Sequence, residues 1–185
     1  MANPNHEPAG SDIGGQFAKG NGAVNTLIRK GAGQLQMKPE VLKAILDKSV
    51  VLQDRLAEDR AKGKARERAF TLDQNGEIVS SAIGVKTDHS VPMDARQGQV
   101  FLHSHPDGTS FSRSDLVMAA ERNLAAVVVS GKYVYIMRPG SSWPSSDALE
   151  TYFKQWRKTR GSELDYEQIA SEFGLIYETY PMGNQ

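Results

Sequence analysis

Cysteine is absent from this chain of 185 residues. Its absence excludes disulfide scaffolds, thiolate nucleophiles and zinc sites built on cysteine ligands, including those of the nucleoside deaminases. Any metal ion must therefore be held by histidine and carboxylate side chains. Because the sequence contains 4 histidines, a site of that kind would use a large share of them.

An excess of charge of either sign is also missing, because 22 basic side chains balance 22 acidic ones. Bulk electrostatics gives no reason to expect a nucleic-acid partner or a membrane surface. No stretch approaches the roughly 18 apolar residues of a membrane helix, and no basic segment leads into an apolar run at the N-terminus. We expect a soluble, cytoplasmic protein without nucleic-acid or membrane partners, whose oligomeric state stays open.

Large apolar residues are scarce in residues 1–36, which are rich in Gly, Asn, Ala and Gln. Such a composition buries too little surface to offset the entropy lost on ordering, so we predict a flexible arm over 1–36. Residues 5–20 resemble a short segment met in bacteriophage structural and accessory proteins. A phage-encoded protein in a bacterial host is therefore one expected source.

A helical segment is predicted over 37–66. Pro39 suits the first turn of a helix, and Glu40 favours the positive end of the helix dipole. Apolar residues then recur at helical spacing, which indicates one long N-terminal helix, frayed near Gly63. The sequence leaves open whether this helix packs on the following domain or covers its site. The apolar stripe comprises Val41, Leu42, Ile45 and Leu46.

Strands and helices are both predicted over 67–185. Asn75-Gly76 lies between two apolar runs and predicts a β-hairpin, because both residues tolerate positive φ, and Gly131-Lys132 predicts a second hairpin. Further strands are predicted over 99–102 and 175–180, and helices over 114–123, 147–160 and 166–173. The expected fold class is α+β, with residues 67–185 forming one domain.

His103 and His105 begin the segment that carries the chemistry. On an extended strand, residues two apart point the same way, so both imidazoles can converge on one ion. Pro106 and Gly108 then turn the chain, and Asp115 at the start of the next helix can supply a third ligand. Two histidines and one carboxylate leave the fourth tetrahedral position open, which is typical of a catalytic zinc.

A zinc-bound water, deprotonated near neutral pH, would still need a proton acceptor and donor. Glu67, just before the first predicted strand, is the candidate for both roles. The Ser112 hydroxyl could donate a hydrogen bond to the oxyanion that develops on the scissile carbonyl. The predicted site therefore joins three metal ligands to two catalytic side chains.

These residues resemble the motif of the JAB/MPN (JAMM) zinc metalloproteases, in which an upstream Glu is followed by His-x-His-Pro and by Ser-x-x-Asp. The resemblance covers Glu67 to about Met137. It implies a curved mixed β-sheet flanked by helices, of the cytidine-deaminase-like kind, with one Zn²⁺ per chain. The loop from His105 to Asp115 is slightly shorter than in the commonest eukaryotic members, as in prokaryotic and phage relatives.

The resemblance implies a metallopeptidase with residues 67–185 as its catalytic domain. Its substrates would be proteins or peptides, including ubiquitin-like C-terminal tails joined to lysine, as for an isopeptidase or a deubiquitinase-like enzyme. An extended tail would pair with a sheet edge beside the zinc. Two alternatives of another class are a non-catalytic binding module and a phage assembly or accessory protein on an MPN-like scaffold.

Structural explanations compete with these assignments. Ser112-x-x-Asp115 is also a helix-start pattern, which is compatible with catalysis. Glu67 could be a solvated charge between Arg66 and Arg68. The basic cluster around Lys154, which is interleaved with aromatic residues, is better explained as the solvated face of a packed helix than as a nucleic-acid site.

Overall fold

The computed structural model describes residues 21–84, 94–160 and 164–182. The described ranges contain five helices: α1 (Asn21–Gln34), α2 (Pro39–Ala61), α3 (Arg113–Arg122), α4 (Ser146–Arg160) and α5 (Tyr166–Phe173). They also contain six strands: β1 (Arg68–Leu72), β2 (Ile78–Ile83), β3 (Val100–Ser104), β4 (Ala125–Ser130), β5 (Tyr133–Pro139) and β6 (Leu175–Pro181).

The six strands form one open mixed sheet in the order β2-β1-β3-β4-β5-β6. Strands β3 and β4 are parallel, because helix α3 carries the chain back between them, and the other neighbours are antiparallel. Helices pack on both faces, so the predicted α+β class with a mixed sheet flanked by helices is confirmed. In open sheets, ligands commonly bind beyond the carboxyl ends of parallel strands. Here the carboxyl end of β3 leads into the segment with the histidines.

The sheet separates two hydrophobic cores. Helices α1 and α2 cover one face through Leu35, Leu42 and Ile45, each fully buried. Helices α3, α4 and α5 cover the other face, the face toward which the metal-ligand candidates point. Helix α2 therefore packs against the sheet and does not cover the site as a lid.

Helix α1 occupies residues 21–34 of the region predicted as a flexible arm, and that prediction is wrong over those residues. Ile28, Ala32 and Leu35 follow helical spacing and are buried against the sheet and α2. Gly31 lies so close to Leu42 and Tyr180 that a Cβ atom there would overlap the tyrosine hydroxyl. Tertiary packing thus stabilises a segment whose local composition is poor in apolar residues. Residues 1–20 of the predicted arm lie outside the described residues.

The turns follow the predicted chemistry with one difference. Gly76 takes a φ of 85° between β1 and β2, and Gly131 a φ of 58° between β4 and β5. Asn75 does not adopt positive φ; its backbone N–H donates to the Asp73 carboxylate instead. Helix α2 ends at Ala61, earlier than the predicted 66, where Gly63 takes a φ of 63°.

Helix α4 buries the aromatic residues of the predicted basic cluster. Phe153, which belongs to the second core, and Trp156 are buried, whereas Lys154, Arg157 and Lys158 are exposed. The aromatic spacing is therefore a packing signal, as predicted. Within the described ranges, none of the helices has the length and apolar character that crossing a bilayer requires.

Candidate metal centre

His103 and His105 lie at the carboxyl end of β3. His103 is the fourth residue of the strand, and the backbone N–H of His105 extends the pairing by donating to Val129 O at 3.0 Å. Both imidazoles point to the same face, with their Nε2 atoms 3.0 Å apart, as the two-residue spacing predicts. The Phe101 ring stacks on His103 at a centroid distance of 5.0 Å and limits its rotation.

Asp115 reaches the histidines from the first turn of α3. Ser112 is the N-cap residue, and its Oγ accepts a hydrogen bond from Asp115 N at 3.2 Å. In return, Ser112 N donates to Asp115 Oδ2 at 2.6 Å. This capping box fixes the Asp115 carboxylate in front of the imidazoles. The capping explanation of the Ser-x-x-Asp pattern is thus correct, and it accompanies the ligand geometry.

The distances between the three potential ligand groups fit one small ion. His103 Nε2 lies 3.3 Å from Asp115 Oδ1, and His105 Nε2 lies 3.4 Å from Asp115 Oδ2. A tetrahedral zinc with bonds near 2.0–2.1 Å requires its ligand atoms to be about 3.3 Å apart. The buried cluster of His103, His105 and Asp115 can therefore hold a metal ion.

The outer nitrogen of His105 has partners that fix the ring. His105 Nδ1 lies 3.2 Å from both the carbonyl oxygen and the hydroxyl of Thr109, and that hydroxyl donates to Asp107 Oδ1 at 2.7 Å. An Nδ1–H donating to Thr109 leaves the lone pair of Nε2 free for a metal. His103 Nδ1 is buried and finds no hydrogen-bond partner in the part of the chain that the structure describes.

The charge states also suit metal binding. Burial, together with the neighbouring His103, lowers the pKa of His105 below its usual value, which favours the neutral imidazole that metals bind. Burial alone would raise the pKa of Asp115, but hydrogen bonding and charge from the histidines outweigh it and lower the pKa to about 2. At neutral pH the cluster therefore offers an ionised carboxylate to a metal ion.

Glu67 lies beside the same cluster because of the sheet register. Ala69 pairs with His103 across β1 and β3, so Glu67, two residues earlier, falls opposite His105 on the same face. Its side chain is 9% exposed, which overturns the solvated-charge explanation. Burial raises the pKa of Glu67 to about 7, and the charges of Asp115 and Asp107 act in the same direction, against that of His103.

All five predicted site residues line one cavity of about 250 Å³. The sequence did not identify the other wall residues, although Asp107-Gly108-Thr109 has the composition of a tight turn and could have been noticed. The structure thus brings the predicted ligands and catalytic candidates together. The additional lining residues are Phe101, Asp107, Thr109, Ser114 and Met118.

The carboxyl end of α2 supports the site from the opposite face of the sheet. Asp59 forms a two-pronged ion pair with Arg68, the residue after Glu67, at 2.9 and 3.2 Å. The neighbouring Arg60 donates to Pro106 O at 2.7 Å and so holds the chain directly after His105. Sequence reasoning missed both contacts, because the partners are distant along the chain.

Replacement of Asp59 by asparagine is expected to lower the free energy of unfolding at pH 7 by about 1–3 kcal/mol, because Arg68 loses a charged partner in a partly buried position. The Arg68 hydrogen bond holds the pKa of Asp59 below its ordinary value. The ion pair therefore contributes its full stabilisation above the pKa of unfolded aspartate, about 3.9. That contribution is lost as the pH falls through the lower pKa of Asp59 in the folded protein. Urea denaturation at pH 7 and pH 3 should show the difference between wild type and variant shrinking in acid. Equal free energies of unfolding for the wild type and the variant at pH 7 would contradict this prediction.

No family model, curated protein or solved structure matches the chain. The resemblance to JAB/MPN proteases therefore depends on the motif residues alone. Function has to be inferred from the chemistry of the side chains around His103, His105 and Asp115.

Proposed function

We propose that this protein is a zinc-dependent metallopeptidase of the JAB/MPN type, which hydrolyses an amide or isopeptide bond. One observation carries the proposal: three ligand atoms with tetrahedral spacing lie in the same cavity as a buried glutamate. Buried carboxylates with raised pKa values are characteristic of catalytic sites. Metal ligands alone would equally fit a structural ion.

The donor set favours zinc. Two imidazoles and one carboxylate match its preference for nitrogen and oxygen ligands, whereas magnesium and calcium prefer oxygen alone. Three protein ligands leave one coordination position for water or substrate, which separates catalytic from structural zinc. When bound in such a site, zinc acidifies a water molecule and polarises a carbonyl group.

Glu67 would move the protons. A cation held by His103, His105 and Asp115 would lower the pKa of Glu67 from about 7, so that the side chain is ionised at neutral pH. The carboxylate can then accept a proton from the attacking water and pass it to the leaving amine. Its low exposure keeps bulk water from competing for that proton.

Ser112 would assist at the carbonyl oxygen. Its Oγ already accepts a hydrogen bond from Asp115 N, so the hydroxyl proton is available to donate to Ser114 Oγ, 2.8 Å away, or to a substrate. Loss of one such donor typically costs about 3 kcal/mol of transition-state stabilisation. The N-cap position holds this hydroxyl beside the metal ligands.

The fold is compatible with the proposal. The mixed sheet with helices on both faces is compatible with the coarse architecture expected of JAB/MPN domains. Proteins or peptides, including ubiquitin-like tails joined to lysine, are the substrates that we propose for it. The substrate would enter from the face covered by α3, since the ligands point that way.

Hydrolysis of quenched fluorescent peptides and of ubiquitin-like conjugates tests the proposal. We expect turnover by the zinc-loaded protein, its loss on removal of the metal with a chelator, and recovery when zinc is restored. An exposed glutamate variant, Glu172→Gln, is the control preparation. The proposal would be contradicted if the chelator did not change the rate of turnover. It would also be contradicted if the zinc-loaded protein hydrolysed none of these substrates.

A further inference from the structure

A second cavity adjoins the metal site along helix α3. This α3–α4 groove has a volume of about 460 Å³ and shares Ser114 and Met118 with the metal cavity. The shared residues show that the two cavities are direct neighbours. The groove is lined by Arg113, Ser114, Val117, Met118, Glu121, Glu150, Phe153 and Lys154.

One face of α3 forms the floor of this groove. Arg113, Val117 and Glu121 are spaced four residues apart, so their side chains lie in one row along the helix. From Arg113 to Glu121 the helix rises about 12 Å, which is the length of three to four residues of an extended peptide. Val117 and Met118 place apolar surface in the middle of that length.

A third cavity also adjoins the metal site. This Tyr166 groove has a volume of about 540 Å³ and shares Thr109 and Ser112 with the metal cavity. Phe111 and Tyr166, whose rings meet edge to face at 5.8 Å, contribute its aromatic wall. Two grooves therefore border the metal cavity, which gives space to a substrate that continues beyond the scissile bond.

Arg113 stands where the two grooves meet, since it lines both of them. Among the described residues, none of the carboxylates lies within ion-pair distance of its guanidinium. Within the described part of the chain, the groove thus offers a cation that is not paired with a carboxylate, next to apolar surface. A ligand that complements it carries a carboxylate beside an apolar side chain.

We propose that the two grooves bind an extended polypeptide across the scissile bond, with an acidic side chain at Arg113 and a neighbouring apolar side chain on Val117 and Met118. This inference rests on the proposed function, because it assigns the substrate class of the same site. It makes Arg113 a specificity determinant.

The edge of the β-sheet is a less suitable binding place for the substrate peptide. Strand β2 ends the sheet, with β1 between it and β3. A peptide added to β2 would lie three strand spacings, about 14 Å, from the strand that carries His103. The grooves along α3 adjoin the metal cavity directly, so they bring a bound peptide to the ligands without such a gap.

Binding of defined peptides tests the proposal separately from hydrolysis. The protein is the zinc-loaded full chain with Glu67→Gln, and the probes are fluorescein-labelled decapeptide pools read by fluorescence polarisation. Each pool contains one fixed pair of adjacent residues: Leu-Glu, Leu-Gln, Leu-Lys or Ser-Glu. We expect the Leu-Glu pool to bind about fivefold more tightly than the Leu-Lys pool. The Arg113→Glu change should reverse that order, whereas Arg157→Glu, an equal charge change on an exposed face of α4, should preserve it.

Equal binding of the four pools, or a preference that Arg113→Glu leaves unchanged, would overturn the inference, as would the absence of binding to any pool. Circular dichroism and zinc content show whether the variants are folded and loaded. If the Leu-Glu preference and its reversal appear but the zinc-loaded wild-type protein cleaves neither these pools nor the ubiquitin-like conjugates, the hydrolase proposal fails and the peptide site stands.

Discussion

Replacement of Glu67 by glutamine is expected to lower the rate of amide hydrolysis by about 10²- to 10⁴-fold, the range attributed to general acid–base catalysis. Glutamine keeps the size of the side chain but cannot accept a proton from the attacking water. Because Glu67 is not among the three metal ligands, the zinc content should stay at the wild-type level. Rates of peptide cleavage and metal analysis on the same preparation measure both quantities.

The control is Glu172→Gln on the exposed face of α5, which should change neither rate nor zinc content. An unchanged rate in Glu67→Gln would contradict the assigned role. The same variant separates the alternatives, because a binding module or an assembly protein should function as well with glutamine as with glutamate at position 67.

Much of the local structure can be predicted from the sequence because local chemistry determines it. Gly76 and Gly131 mark the two hairpins by their tolerance of positive φ, and both adopt it. The two-residue spacing of His103 and His105 places both rings on one face through the strand period alone. Helix α5 begins after Asp165 and ends before Gly174, as ordinary capping preferences indicate.

Features that depend on distant partners are not predictable in this way. Helix α1 contains few apolar residues, and its order comes from contact with the sheet and α2, whose residues follow it in the sequence. The Arg60–Pro106 hydrogen bond spans 46 positions of the chain. The hydrogen bond leaves no pattern in the sequence, and helix α1 shows only the short spacing of Ile28, Ala32 and Leu35.

The candidate site depends in part on local sequence and in part on long-range strand pairing. Ser112 and Asp115 were assigned by spacing, and the capping box that the same spacing predicts also positions the ligand carboxylate. For Glu67 the sequence supports two explanations, because its charged neighbours Arg66 and Arg68 also indicate a solvated residue. Its burial follows from the pairing of β1 with β3, a long-range register that nothing near Glu67 specifies.

Replacement of both His103 and His105 by alanine is expected to lower the affinity for zinc by more than about 100-fold, because loss of a single outer-shell partner already costs about 10- to 100-fold. In the wild-type protein, zinc should raise the melting temperature, since it binds the folded state alone. Protons compete with zinc for the imidazoles, so affinity should fall in acid. Because the pKa of His105 is lowered, protons should compete with zinc for this imidazole only at pH values below the ordinary pKa of histidine.

Metal content, measured by elemental analysis of the purified protein, tests the central claim most directly. We predict about one zinc per chain in the wild-type protein and in a control in which His6 and His89 are replaced by alanine. The variant lacking His103 and His105 should contain none. Wild-type protein that holds no zinc after zinc is supplied, or equal zinc in wild type and the His103/His105 variant, would contradict the metal centre and the hydrolase built on it.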